Sequence, residues 1–360
     1  MSSLNAPAGI GELWHHRISS LREYEIVRDG NLFGADISNN VLFSSEYETA
    51  LCQLHDLIHR FESKTIEEIF SGNDLTNKGG SCFVRTTSHA IKSSKNDAAE
   101  FRSLLVEDLM LVHGIGPSTK RRLKSRGFGT IRDLLSHPRY HRQAFDVLEC
   151  LTKGSTTELV DLIGTRYPRS HPLALGTAAL HEPEEMVFVD IETLGLFSRP
   201  IILIGVGRFE SGQLRIYQYL VRDIPEEEAA LIATREHFAG DNPALVTFNG
   251  KSFDLPYIQD RLAYYGLNIP VRIPHYDVLH FSRRRWKDQL RSLRLSSLES
   301  EVFGISREDD IPGQMVPEFY ATYLRTGNCG PLVPVVEHNR QDILSLAMLF
   351  FHLLGELHGG

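Results

Sequence analysis

The stretch MVFVDIETLGL, residues 186–196, decides how the rest of the chain is read. Its Val, Phe and Ile residues favour a β-strand over residues 186–191. Side chains alternate along a strand, so Asp190 and Glu192, two apart, share one face while Ile191 points to the other. Two acids this close repel each other, and a hard divalent cation such as Mg²⁺, which prefers carboxylate oxygens, would relieve the repulsion. Taken alone, the pair is weak evidence, and an ordinary solvated strand end is the plainer reading.

Downstream, residues 201–209 and 214–221 read as two further strands joined by a tight turn at Ser211-Gly212, giving an antiparallel meander. Asp223, Pro225 and three glutamates open a helix that runs to about residue 239. A fourth strand over 244–248 and a helix over 253–265, stopped by Gly266, follow, and a long helix covers 332–357. Residues 186–360 therefore read as an α/β domain, a mixed sheet flanked by helices.

Upstream, residues 101–152 are firmly helical, broken at HGIGP (113–117) and GFG (127–129), and a small all-helical module is assigned to 101–165. Pro168, Pro172 and Pro183 suit an extended linker over 166–185. Residues 1–100 form an N-terminal region of unassigned role, with a weak helical pattern at 47–61 and a polar stretch at 71–80.

Two more acids complete a series. LVTFNGKSFDLPYI (245–258) puts Asp254 just past a strand and at a helix start, beside Asn249 and Lys251. VEHNRQDILSLA (336–347) puts His338 and Asp342 four apart, on one helix face. Each has a plain alternative, a helix N-terminal charge and a surface pair.

Composition narrows the function classes. The longest apolar run, residues 345–354, is far shorter than the ~20 residues a membrane span needs. MSSLNAPAG carries no leader pattern, so a cytoplasmic protein with no membrane partner is expected. Cys52, Cys82, Cys150 and Cys329 have neither disulfide-framework nor zinc spacing. The net charge of −8 argues against coating nucleic acid, so local charge matters. Arg283, Arg284, Arg285, Lys287, Arg291 and Arg294 surround Trp286 with only Asp288 opposing. Cations around a ring suit a groove that tracks a nucleic acid backbone, or else a solvated helix face. A second basic set, Lys120, Arg121, Arg122, Lys124 and Arg126, follows Gly114 and Gly116.

DIET (190–193), FNGKSFDLP (248–256) and HNRQD (338–342) resemble the three exonuclease motifs of the DEDD, or DnaQ-like, superfamily. With GSCFVR (80–85), PIILIGVG (200–207), RRRW (283–286) and DIPG (310–313), the chain is similar to the YprB-like subgroup of RNase H-like exonucleases. The resemblance implies an RNase H-like fold and a metal-dependent 3′-to-5′ exonuclease acting on DNA, in DNA repair. It implies that Asp190, Glu192, Asp254 and Asp342 hold two Mg²⁺ or Mn²⁺ ions. His338 would be the catalytic base or position the attacking water. It lies four residues before Asp342, the spacing of the superfamily's tyrosine branch, whereas a histidine base usually lies five before. HGIGPSTKRRL (113–123) resembles a helix-hairpin-helix module, with Gly114, Gly116, Lys120 and Arg121 toward phosphate. Asn249, Lys251, Arg283, Arg284, Arg285 and Trp286 would contact nucleic acid nearer the acids. Nucleic acid is the implied partner, DNA ahead of RNA, with a helicase or another repair protein beside it. The alternatives are a catalytically idle recruitment protein and the same chemistry on RNA.

Overall fold

The computed structural model describes residues 44–93, 97–195, 199–268, 272–307 and 310–357. The opening MSSLNAPAG and Leu196 lie outside them. Seven strands form one mixed sheet: β1 (Asn73–Asn77), β2 (Gly80–His89), β3 (Met186–Thr193), β4 (Ile201–Glu210), β5 (Gln213–Leu220), β6 (Ala244–Thr247) and β7 (His275–Asp277). Their order is β1-β2-β5-β4-β3-β6-β7. The meander β3-β4-β5 is antiparallel as expected. Ser211 and Gly212 both take positive φ, 52° and 77°, the geometry that lets two residues close a twisted hairpin. β6 runs parallel to β3, and β7, unforeseen in the sequence, runs parallel to β6.

The region given no role at the N-terminus extends this sheet. β2 pairs antiparallel with β5 from Phe83↔Leu220 to His89↔Leu214, and β1 forms the edge. Cys82 and Phe83 alternate into two different apolar cores, which is how a strand buried on both faces behaves. The polar edge strand NDLTN hid this strand pair from composition. Helices α1 (Ser44–Arg60) and α2 (Ile66–Phe70) pack Leu54, Leu57 and Phe70 into the same core as Phe83.

The helical module contains α3 (Ala98–Glu107), α4 (Pro117–Lys124), α5 (His141–Lys153) and α6 (Thr156–Gly164). Residues 166–185 are not the extended linker their prolines suggest. They form α7 (Pro172–Gly176) and two 3₁₀ turns, Thr177–Leu180 and Pro183–Glu185. Pro172 and Pro183 sit in the first turns, where a missing N–H costs nothing. Ala174, Leu175, Ala178 and Ala179 share one core with Phe101 of α3 and with Phe188 and Val246 of the sheet. A Cβ on Gly176 would lie 2.3 Å from the Phe101 ring, so the bridge is packed against the module.

Helices α8 (Glu227–Glu236) and α9 (Asp254–Tyr264) cover one sheet face, where Val187, Val189 and Ile191 are buried. The other face carries α10 (Val278–Trp286), α11 (Leu295–Phe303), α12 (Val316–Thr326) and the long α13 (Leu332–Glu356). Among the described residues no helix is long and apolar enough to cross a membrane.

Candidate active site

Phe188 joins the core beneath α13, so Asp190 and Glu192, in phase with it, face that helix as the strand alternation predicts. Asp190 pairs with Gly205 across β3 and β4. A Cβ on Gly205 would lie 2.3 Å from Asn339 Oδ1, and one on Gly207 would lie 2.7 Å from Ile343 Cγ2. These two glycines let α13 lie directly on the sheet. Asn339, fully buried, then donates from Nδ2 to Asp190 Oδ2 at 2.8 Å and to the Asp190 carbonyl at 3.1 Å. Gln218 Nε2 donates to Asn339 Oδ1 at 3.1 Å and fixes the amide's orientation.

Asp254 begins α9, after a loop shaped by Asn249 at φ 63° and by Gly250, where a Cβ would overlap Thr247. The buried Asp277 organises this loop, accepting from Asn249 N at 2.8 Å and Lys251 N at 3.1 Å. It also accepts from Leu279 N at 3.2 Å and thereby caps α10. Asp254 Oδ1 in turn accepts from Ile191 N at 3.3 Å, which ties the loop to β3 between the two strand acids.

The four acids therefore come together from β3, the start of α9 and the middle of α13. Burial raises the pKa of Asp190 well above the usual carboxylate range, and the charges of Asp342, Glu192 and Asp254 add to it. Burial pushes Glu192 up to about 7 against the lowering influence of His338. Asp254 is pushed up to about 7 by burial, against backbone hydrogen bonds including that from Ile191. Asp190 and Asp254 have neutral amide partners, which compensate a charge only in part.

Three groups that sequence reasoning passed over complete the cluster. His338 Nδ1 lies 2.6 Å from Asp310 Oδ1, and its Nε2 lies 3.5 Å from Asp342 Oδ2. Burial alone would lower the His338 pKa, but Asp342, the Asp310 hydrogen bond and Glu192 together raise it to about 10. Arg307 bridges Asp342 Oδ1 and Glu299 Oε2, the latter at 2.7 Å. DIPG marked Asp310 in the sequence without giving it a role, and nothing in the local pattern marks Arg307 or Asn339.

In this arrangement no three His, Cys, Asp or Glu side chains among the described residues already form a cation cage. Asp342 is engaged by Arg307 and His338 instead. The donor set still fits a hard divalent cation: four oxygen-donor carboxylates are gathered, three of them with pKa raised by burial.

The nucleic-acid candidates separate more sharply. Trp286 is 6% exposed, stacked on His352 and built into the core, so it is not a platform for bases. Arg285 is exposed but paired with Glu356 at 2.9 Å. Lys120 is paired with Asp108 at 2.7 Å, whereas Arg121 is exposed. Arg283, Arg284 and Asn249 are exposed, and Lys251 is half-buried. Gly114 takes φ +83°, but Gly116 is extended and a Cβ there would meet open space. Leu194 and Tyr257, close in sequence to the acids, are core residues.

Residues 187–354 match the RNase_H_2 family model of the RNase H superfamily. The chain is also 33% identical over 192 residues to an uncharacterized protein of Bacillus subtilis (strain 168), YprB. That match covers 51% of this chain and 45% of the relative, so the chain spans about half the length of the curated relative it matches. The meander, the parallel β6 and the crossing α13 agree with that similarity, and the mixed sheet flanked by helices is an RNase H-like α/β fold.

Proposed function

We propose that this chain is a metal-dependent nuclease, specifically a 3′-to-5′ exonuclease that hydrolyses DNA phosphodiester bonds in DNA repair. The observation that carries the reading is the gathering of Asp190, Glu192, Asp254 and Asp342 from three distant segments, within one another's electrostatic reach. Nothing in packing requires four acids there, and burying them together costs free energy that a bound cation would offset.

Asp190, Glu192, Asp254 and Asp342 would hold two Mg²⁺ or Mn²⁺ ions, which when bound supply an activated water and stabilise the leaving oxygen. The chain's own residues hold that set in place. Asn339 keeps Asp190 from rotating, and Asp277 holds the loop that delivers Asp254. His338 keeps a proton between Asp310 and Asp342, and in this state it orients its neighbours rather than accepting a proton. It becomes available as a base when the negative charge that retains its proton is neutralised.

The test is degradation of end-labelled DNA and RNA strands, side by side, with Mg²⁺ or Mn²⁺ and with EDTA. Release of mononucleotides from the 3′ end of DNA, lost in EDTA, supports the proposal. Full activity in EDTA excludes a metal mechanism, and a faster RNA reaction moves the substrate assignment. A catalytically idle binding protein is a second reading, favoured by the engagement of both Asp342 oxygens by Arg307 and His338.

A further inference from the structure

An open cleft of about 520 Å³ lies between the bridge and α10, lined by Ser170, His280, Arg283, Arg284 and Lys287. Arg169 lies beside it in sequence, and the Arg169 charge acts on Lys251 in the loop that carries Asp254. Arg284 likewise acts on His171 of the bridge. Among the described residues, Arg169, Arg283, Arg284 and Lys287 have no carboxylate partner, whereas the adjacent Arg285 is paired with Glu356. In a chain of net charge −8, acids to pair with are plentiful. A set of cations left together and unpaired around an open polar cleft is complementary to a polyanion.

We infer that this cleft is a second phosphate-binding site, which grips the backbone of the nucleic acid strand between the bridge and α10, beside the loop that carries Asp254. The inference rests on the nuclease reading and names where that substrate runs. α10 starts at the residue after Asp277, and Asp277 also holds the backbone of Lys251. One buried acid thus joins the cleft's helix to the loop of the candidate active site. The bridge supplies the opposite wall through Ser170, so the strand's path runs between the bridge and α10. Trp286 takes no part, and the grip is made by charge, without base stacking.

The experiment measures binding rather than cleavage. The full chain is titrated against a fluorescent single strand, DNA and RNA in parallel, in EDTA and over a range of salt. The triple variant Arg283→Ala/Arg284→Ala/Lys287→Ala is expected to raise Kd about tenfold or more. It should also lower the slope of log Kd against log salt by about 2, since each phosphate contact on a single strand contributes about 0.7. Arg60→Ala/Lys64→Ala, which removes two exposed cations elsewhere, should leave both unchanged. Arg283→Lys/Arg284→Lys should keep the slope. If the triple variant loses its thermal transition, Arg284→Gln alone gives the same reading with a slope change of about 0.7. Wild-type Kd and slope in the variant, equal losses in the Arg60/Lys64 control, or no binding by the wild type overturn the inference and leave the cleft to another partner, such as an acidic protein segment. A wild type that binds through the cleft yet never cleaves defeats the nuclease reading alone. One that cleaves while the triple variant binds normally defeats only the cleft.

Discussion

The carboxylate cluster and the cationic cleft meet at Asp277, yet like charges are treated in opposite ways in the two places. In the cluster they are withdrawn from water and held by backbone and amide hydrogen bonds, so burial first, with their mutual repulsion added, raises the pKa values of Asp190, Glu192 and Asp254. In the cleft they stand on exposed positions of α10, where water screens them and long side chains can move apart. A buried cluster is costly unless a ligand compensates it, and an exposed one costs little until a ligand arrives. The first arrangement suits bound cations and chemistry, the second suits grip.

The largest effect expected from this contrast concerns the cluster. Asp190→Ala or Asp342→Ala should lower hydrolysis by about 10³-fold or more while leaving strand binding nearly intact. Steady-state rates and anisotropy on the same variants check this, and equal loss of both would erase the division between the two regions.

His338→Ala should come next, with kcat reduced about 10²-fold, the lower end of what a general acid–base group contributes. A change below threefold would reduce it to a structural bridge between Asp310 and Asp342.

The pH dependence of stability sharpens the comparison further. Glu192 and Asp254 have folded-state pKa values raised to about 7, so their stabilising contribution is complete below about 4 and is lost as pH rises through 7. His338, raised to about 10, contributes fully below about 6.5 and loses its contribution as pH rises through 10. Both act in the same direction. In EDTA the melting temperature should fall from pH 5 to pH 8 by more than in Mn²⁺, and Asp190→Asn should flatten the EDTA curve. Parallel curves with and without metal would contradict the account.

The smallest effect belongs to Gly116. Its extended backbone and the open space around it mean that Gly116→Val should leave the melting temperature unchanged. If the hairpin approaches phosphate, the variant should raise KM on long DNA without changing KM on a very short strand. Equal kinetics on both would make residues 101–165 a spacer.

How much of this was legible follows the same division. The strand acids, the helix-start acid and the helical His338–Asp342 pair were readable because each has a local geometric signature, a period of two or of four. Their convergence was not readable from any one segment. It depends on Gly205 and Gly207 admitting α13, and on Asn339 meeting a strand 149 residues away. The basic residues were visible as a run, but a run does not show which members are paired. Arg285 and Lys120 found acids far along the chain or one helix away, and Trp286 entered the core. The packed bridge was misread as extended because proline marks helix starts as readily as linkers. β1 escaped because its edge position leaves it polar, and β2, which pairs with it, escaped because no hydrophobic partner strand lies next to it in sequence.

Calorimetric titration of Mn²⁺ into the wild type and into Asp190→Asn/Asp254→Asn tests the central claim most directly, without depending on substrate, strand polarity or partners. The account predicts saturable binding approaching two ions per wild-type chain, tighter at pH 8 than at pH 6, and none in the double variant. Undiminished binding in the double variant, or no heat from the wild type at millimolar Mn²⁺, would contradict it.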